Sequence, residues 1–75
     1  MIIKILGSGC KKCTTLAANA KSAAESAGQE AEIIKITDIA EIAGHGVMAT
    51  PALMIDGRLV SSGIVLTAKE IGQLL

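Results

Sequence analysis

The stretch Gly7-Ser8-Gly9-Cys10-Lys11-Lys12-Cys13-Thr14-Thr15 holds both cysteines of the chain and two of its seven basic residues. Two unlike patterns flank it. Before it runs Met1-Ile2-Ile3-Lys4-Ile5-Leu6, an Ile- and Leu-rich run that Gly-Ser-Gly breaks, which predicts a strand. After it, from about Lys11 to Ala27, the positions Leu16, Ala20, Ala23 and Ala27 recur at helical spacing while Thr15, Asn19, Ser22 and Ser26 line another face. That period predicts an amphipathic helix, closed by Gly28. The cysteine pair therefore lies at a strand-to-helix junction, with Cys10 before the first turn and Cys13 three residues on, inside it.

The same reading extends downstream. Glu32-Ile33-Ile34-Lys35-Ile36 is rich in β-branched residues and fits a second strand. Asp38, followed three residues later by Glu41, has the pattern of a capping box, so a short helix is expected to run to about Ala43 before Gly44. Ala52-Leu53-Met54-Ile55, Asp56-Gly57 and Arg58-Leu59-Val60 read as strand, tight turn and strand. Thr67 and Glu70 repeat the capping-box spacing and open a last helix, with Ile71, Leu74 and Leu75 on one side. The expected order is βαβαββα: an α/β domain spanning residues 1–75, whose initial βαβ unit implies a parallel pair and whose closing hairpin extends it in antiparallel fashion. The result is a mixed four-stranded sheet flanked by helices.

Composition narrows the function classes. The chain has 75 residues, half of them hydrophobic and none aromatic, so its core is built from Ile, Leu, Val, Met and Ala, and base stacking is disfavoured. Seven basic residues balance seven acidic ones, which leaves no electrostatic footprint for nucleic acid or an anionic membrane. The apolar start is too short for a secretory signal or a membrane span. A cytoplasmic monomer is expected. In that compartment thiols stay reduced, and a Cys-x-x-Cys pair is catalytic or metal-binding more often than structural.

Three chemistries are open to two cysteines at this spacing. As a redox pair, Cys10 would attack as thiolate, favoured by the unpaired N–H groups and positive dipole end of the helix start and by the cations Lys11 and Lys12. Cys13, one turn away, would resolve the mixed disulfide. The lysines are notable because a first helical turn ordinarily favours acids. As a metal grip, the pair lacks the four ligands of structural zinc, since only Cys10, Cys13 and His45 are present, but two thiolates suit Cu(I). As a structural staple, a loop this small contributes only about 2 kcal/mol. His45, between two glycines, reads as a helix-end residue, and Met48 and Met54 as core or site-lining filler.

With the pair at the first strand–helix junction and Thr50-Pro51 just before the third strand, the chain resembles the thioredoxin-like superfamily, in particular its small redox-active-disulfide, glutaredoxin-like members. The resemblance spans nearly the whole chain, from GSGCKKC through AEIIKITD and GVMATPALMIDGRLV to the last helix. It implies a thiol–disulfide oxidoreductase in which Cys10 is the nucleophile and Cys13 the resolving thiol. The Cys10/Cys13 disulfide would be the only redox group, with no metal or other cofactor. It further implies a cis bond at Pro51, with Thr50 and Pro51 receiving an extended substrate. The partners it implies are a protein disulfide and a reductase. In many thioredoxins an acid stands six residues before the first cysteine, where this chain has Lys4, and an aromatic residue stands beside the motif, where it has Ser8 and Gly9. Ser62-Gly63-Ile64-Val65 replaces the glutathione-holding Gly-Gly and acid of glutaredoxins. Two rival classes are a copper- or zinc-trafficking module and a non-catalytic redox sensor. The heavy-metal-associated domains usually carry methionine two residues before the first cysteine and end on a strand, whereas this chain has Ser8 and a capped final helix.

Overall fold

The computed structural model describes residues 1–8 and 11–75. Its elements are β1 (Ile2–Leu6), α1 (Lys11–Ser26), β2 (Glu32–Ile36), α2 (Ile39–Gly44), β3 (Ala52–Ile55), β4 (Arg58–Ser62) and α3 (Ala68–Gly72). The order read from the sequence is the order found. β4 runs two residues beyond the expected Val60, because its ladder with β3 carries an irregularity between Leu53 and Met54 and resumes at Ser61 and Ser62.

The sheet order is β2-β1-β3-β4. β1 pairs in parallel with β2 and antiparallel with β3, and β3 pairs antiparallel with β4. The two central strands thus bring the end of β1 beside the start of β3, with Leu6 opposite Ala52. This pairing sets the Gly7 loop next to Pro51, two segments more than forty residues apart in the chain.

Strand alternation divides the core into two layers. Ile3, Ile5, Leu53 and Ile55 face α1 and α3, where they meet Cys13, Leu16, Ala17, Ala20, Ala23 and Ile71. Leu6, Ala52, Met54 and Ile36 face the other way and pack with Ile42 of α2 and Val47. The alanine-rich face of α1 lets that helix lie close on the sheet. Its buried set includes Ala17 and Ala24, whereas Ala27 falls beyond the helix end and is exposed.

Turns and caps follow local chemistry. Asp56 and Gly57 have φ of 49° and 84°, the paired positive values of a type I′ hairpin. The Asp56 carboxylate also accepts from the Ile2 N–H at 2.8 Å, tying the hairpin to β1. Thr67 and Glu70 form a full reciprocal box, 3.1 and 3.0 Å. At α2 only the Asp38 half is found among the described residues: its carboxylate accepts from the Ala40 N–H at 2.9 Å. Of the three apolar residues expected on one face of α3, Ile71 is fully buried, Leu75 packs at the core margin and Leu74 is half exposed.

Candidate active site

Cys13 is the third residue of α1 and is 5 % exposed. It is buried because the helical period that places Leu16, Ala17 and Ala20 on the sheet points position 13 the same way. Lys11 and Lys12, on the outward side of the same turn, are both exposed, and no acidic residue shares that turn. The Thr15 hydroxyl donates to the Lys11 carbonyl at 2.9 Å. Cys10 lies outside the described residues.

The segment leading into α1 is fixed at Gly7. Its N–H donates to the Ile36 carbonyl at 2.9 Å, which extends the β1–β2 pairing by one residue. Gly7 is buried against the Cys13 side chain, and a Cβ built on it would overlap Cys13 Sγ and lie 3.7 Å from Thr50 Cβ. Gly7 is therefore the meeting point of the cysteine turn and the Thr50-Pro51 loop.

The Thr50–Pro51 peptide bond is cis, as the resemblance implied. Pro51 is fully buried and Thr50 exposed. The Pro51 carbonyl accepts from the Gly63 N–H at 2.9 Å, which anchors the loop to the end of the β3–β4 hairpin. Of the expected site residues, Lys11, Lys12, Cys13, Thr50 and Pro51 are thus gathered at one end of the sheet.

The chain is matched along residues 1–75 by the family model described as thioredoxin domain. The chain belongs to the thioredoxin family. It is 41 % identical over 71 residues to a thioredoxin of Methanocaldococcus jannaschii, covering 95 % of this chain and 81 % of that one. It is 39 % identical over 75 residues to a thioredoxin of Methanothermobacter thermautotrophicus, covering all of this chain and 97 % of the relative. Thiol–disulfide oxidoreduction is the activity at the level of this family.

Lys4, at the position where the resemblance implied an acid, faces away from Cys13. It alternates with Ile3 and Ile5 and pairs with Ile34 and Met54, so its side chain leaves on the α2 side of the sheet. Lys35, opposite Ile5 in the parallel ladder, lies on the Cys13 side of the sheet. Lys35 and Thr37 share with Ile5, Gly7, Cys13 and Thr14 the lining of a cleft of about 60 Å³.

On the other side of the loop, a larger groove of about 320 Å³ is lined by Ser8, Ile39, Ile42, Val47, Met48 and Thr50. Met48 is 98 % exposed and Ile39 80 %, so both offer apolar surface to solvent beside the site. Met54, by contrast, is core. The strand pattern already contained the Lys4 result, since residues 3 and 4 of one strand cannot share a face. The groove had no sequence signal, because Ile39 and Met48 come together only when α2 and the Thr50 loop pack side by side. His45 is the C-cap of α2, its N–H donating to the Glu41 and Ile42 carbonyls at 3.2 and 3.1 Å.

Proposed function

We propose that this thioredoxin-family chain reduces protein disulfides through a Cys10/Cys13 dithiol. In the first step the Cys10 thiolate attacks one sulfur of the substrate disulfide. A Cys10–substrate bond forms, the substrate S–S bond breaks, and the departing sulfur takes a proton from water. In the second step Cys13 gives its proton to water and attacks the Cys10 sulfur. The Cys10–Cys13 bond forms as the second substrate thiolate leaves and is protonated. The substrate gains two electrons and two protons, and a dithiol reductase restores the pair by the reverse exchange.

The observation that carries this reading is the placing of Cys13: buried in the first turn of α1, against Gly7, at the end of the sheet that also presents Thr50 and cis-Pro51. A resolving thiol has to be near the nucleophile yet shielded from outside thiols, and a buried position one turn along a helix meets both demands. Lys11 and Lys12 supply positive charge that favours the Cys10 thiolate. Thr50, an exposed residue, offers its backbone to an extended substrate segment, and the groove beside it receives an apolar side chain of that segment. The electrons are carried by the two sulfurs with no other cofactor. The protein works as a monomer in the cytoplasm, where a reducing thiol pool and a reductase keep the pair reduced.

The test is a redox titration in thiol–disulfide buffers, read by alkylation mass shifts, together with turnover of a model protein disulfide. A reversible two-electron Cys10–Cys13 couple and turnover lost in Cys10→Ser are expected. Failure to form a reversible intramolecular disulfide removes the reading. Stoichiometric copper or zinc that blocks Cys10 alkylation after anaerobic purification replaces it with metal trafficking.

A further inference from the structure

Gly7 lacks the usual reason for being glycine. Four other glycines, Gly28, Gly46, Gly57 and Gly63, have φ between 68° and 84° and so occupy backbone that other residues rarely adopt. Gly7 is not among these positive-φ residues, so an alanine is compatible with its backbone. What excludes a side chain there is space. A Cβ on Gly7 would overlap Cys13 Sγ, while the Cys13 Cβ would sit at an ordinary 3.6 Å and Thr50 Cβ at 3.7 Å. The conflict is with one atom, the sulfur.

We propose that Gly7 is the positioning residue of the resolving thiol: the volume its missing side chain leaves is the seat of Cys13 Sγ. The backbone on both sides of that seat is held. The Gly7 N–H is bonded to Ile36 O, and Cys13 belongs to the α1 face packed on Ile3, Ile5 and Leu53. The sulfur is therefore confined between a fixed strand end and a packed helix, at the head of the cleft that opens toward Lys35 and Thr37. A methyl group at position 7 leaves it two courses, rotation about χ1 or displacement of the first turn of α1. Either one moves the sulfur.

Misplacing a reacting atom by about 1 Å costs on the order of 100-fold in rate. The inference rests on the dithiol mechanism proposed above, and it concerns the second step: attack of Cys13 sulfur on Cys10, with release of the substrate thiolate. The first step, at Cys10, does not use the seat.

The experiment loads Cys10 of the full chain as a mixed disulfide with 5-thio-2-nitrobenzoate and follows release of the coloured thiol. In Gly7→Ala this release is expected to slow at least about 10-fold relative to wild type, a conservative fraction of that misplacement cost. In the Cys13→Ala background, formation of the mixed disulfide is expected at the same rate, within about twofold, with Gly or Ala at position 7, since a perturbation confined to the seat leaves the first step untouched. Release from Gly7→Ala within about twofold of wild type overturns the proposal, as does an equal loss in the first step, because Gly7 then acts on the loop as a whole. If Gly7→Ala does not fold, a folded Gly7→Ala/Cys13→Ala variant supports the steric seat and an unfolded one overturns it. Failure of the dithiol reading shows separately: wild type itself then releases no thiol, and the unfolding midpoints of the same four proteins decide whether positions 7 and 13 are coupled.

Discussion

Replacing Ile39 and Met48 together by serine is expected to leave stability intact and to remove selectivity for apolar segments beside the scissile disulfide. Both side chains are largely solvent-exposed, at 80 % and 98 %, and surface substitutions of this kind change stability by about 0.5 kcal/mol or less. The groove they border is about 320 Å³, wide enough for one leucine-sized side chain. Full burial of such a side chain contributes about 1.5–3 kcal/mol. An open groove covers only part of it, so about 1–2 kcal/mol is the working value. Two disulfide peptides that differ only in leucine or serine at the flanking position share the costs of association, which cancel in their ratio. The ratio of kcat/KM for the leucine and serine peptides is then roughly 5- to 30-fold in the native protein. In Ile39→Ser/Met48→Ser it is expected to fall below about threefold, with thermal midpoints unchanged. An undiminished ratio in the double variant refutes the assignment of the groove, and so does a native protein that does not distinguish the peptides.

Three further outcomes are expected. Leu53→Ala, at a fully buried residue of the central strand β3 within the Cys13 layer, should cost about 3–4 kcal/mol by urea unfolding. A loss under about 1 kcal/mol would mean that α1 collapses onto the sheet to fill the space. Asp56→Ala should cost about 1–2 kcal/mol, because it removes the carboxylate bound to the Ile2 N–H and leaves a φ of 49° on a residue that tolerates it poorly. Asp56→Asn, which retains both an acceptor and the tolerance for positive φ, should lose less than half of that, as thermal melts would show. Lys11→Glu/Lys12→Glu, at two exposed positions, should slow alkylation of Cys10 at neutral pH about 10-fold in a Cys13→Ala background, an effect that added salt reduces. A rate unchanged by the charge reversal would show both lysines to be surface residues without influence on Cys10.

Most of the secondary structure was legible in the sequence because each element is declared locally. Apolar and β-branched runs, the helical period, the Asp56-Gly57 turn, the Asp38 and Thr67 caps and the closing glycines act within a few residues of where they stand, so no tertiary information is needed to read them. The same holds for Lys11, Lys12 and Cys13, whose place in the first turn of α1 follows from the local helical period. The extension of β4 to Ser62 escaped the reading because it depends on an irregularity in the β3 ladder, a cross-strand event.

What the tertiary structure decided is which of these local pieces face one another. From the sequence, Lys4 stands at the position where the resemblance implied an acid. In the folded sheet Lys4 points to the α2 side, and Lys35 shares a cleft with Cys13, brought there by the parallel register of β1 and β2. Gly7 reads in the sequence as part of the Gly-Ser-Gly that ends β1, yet in the fold it lies against the Cys13 sulfur, where a Cβ would overlap it. Chain order specifies periodicity and turn chemistry because these are short-range. It leaves open contacts between residues distant in the chain, since those depend on strand register and on the depth at which an alanine-faced helix settles on its sheet.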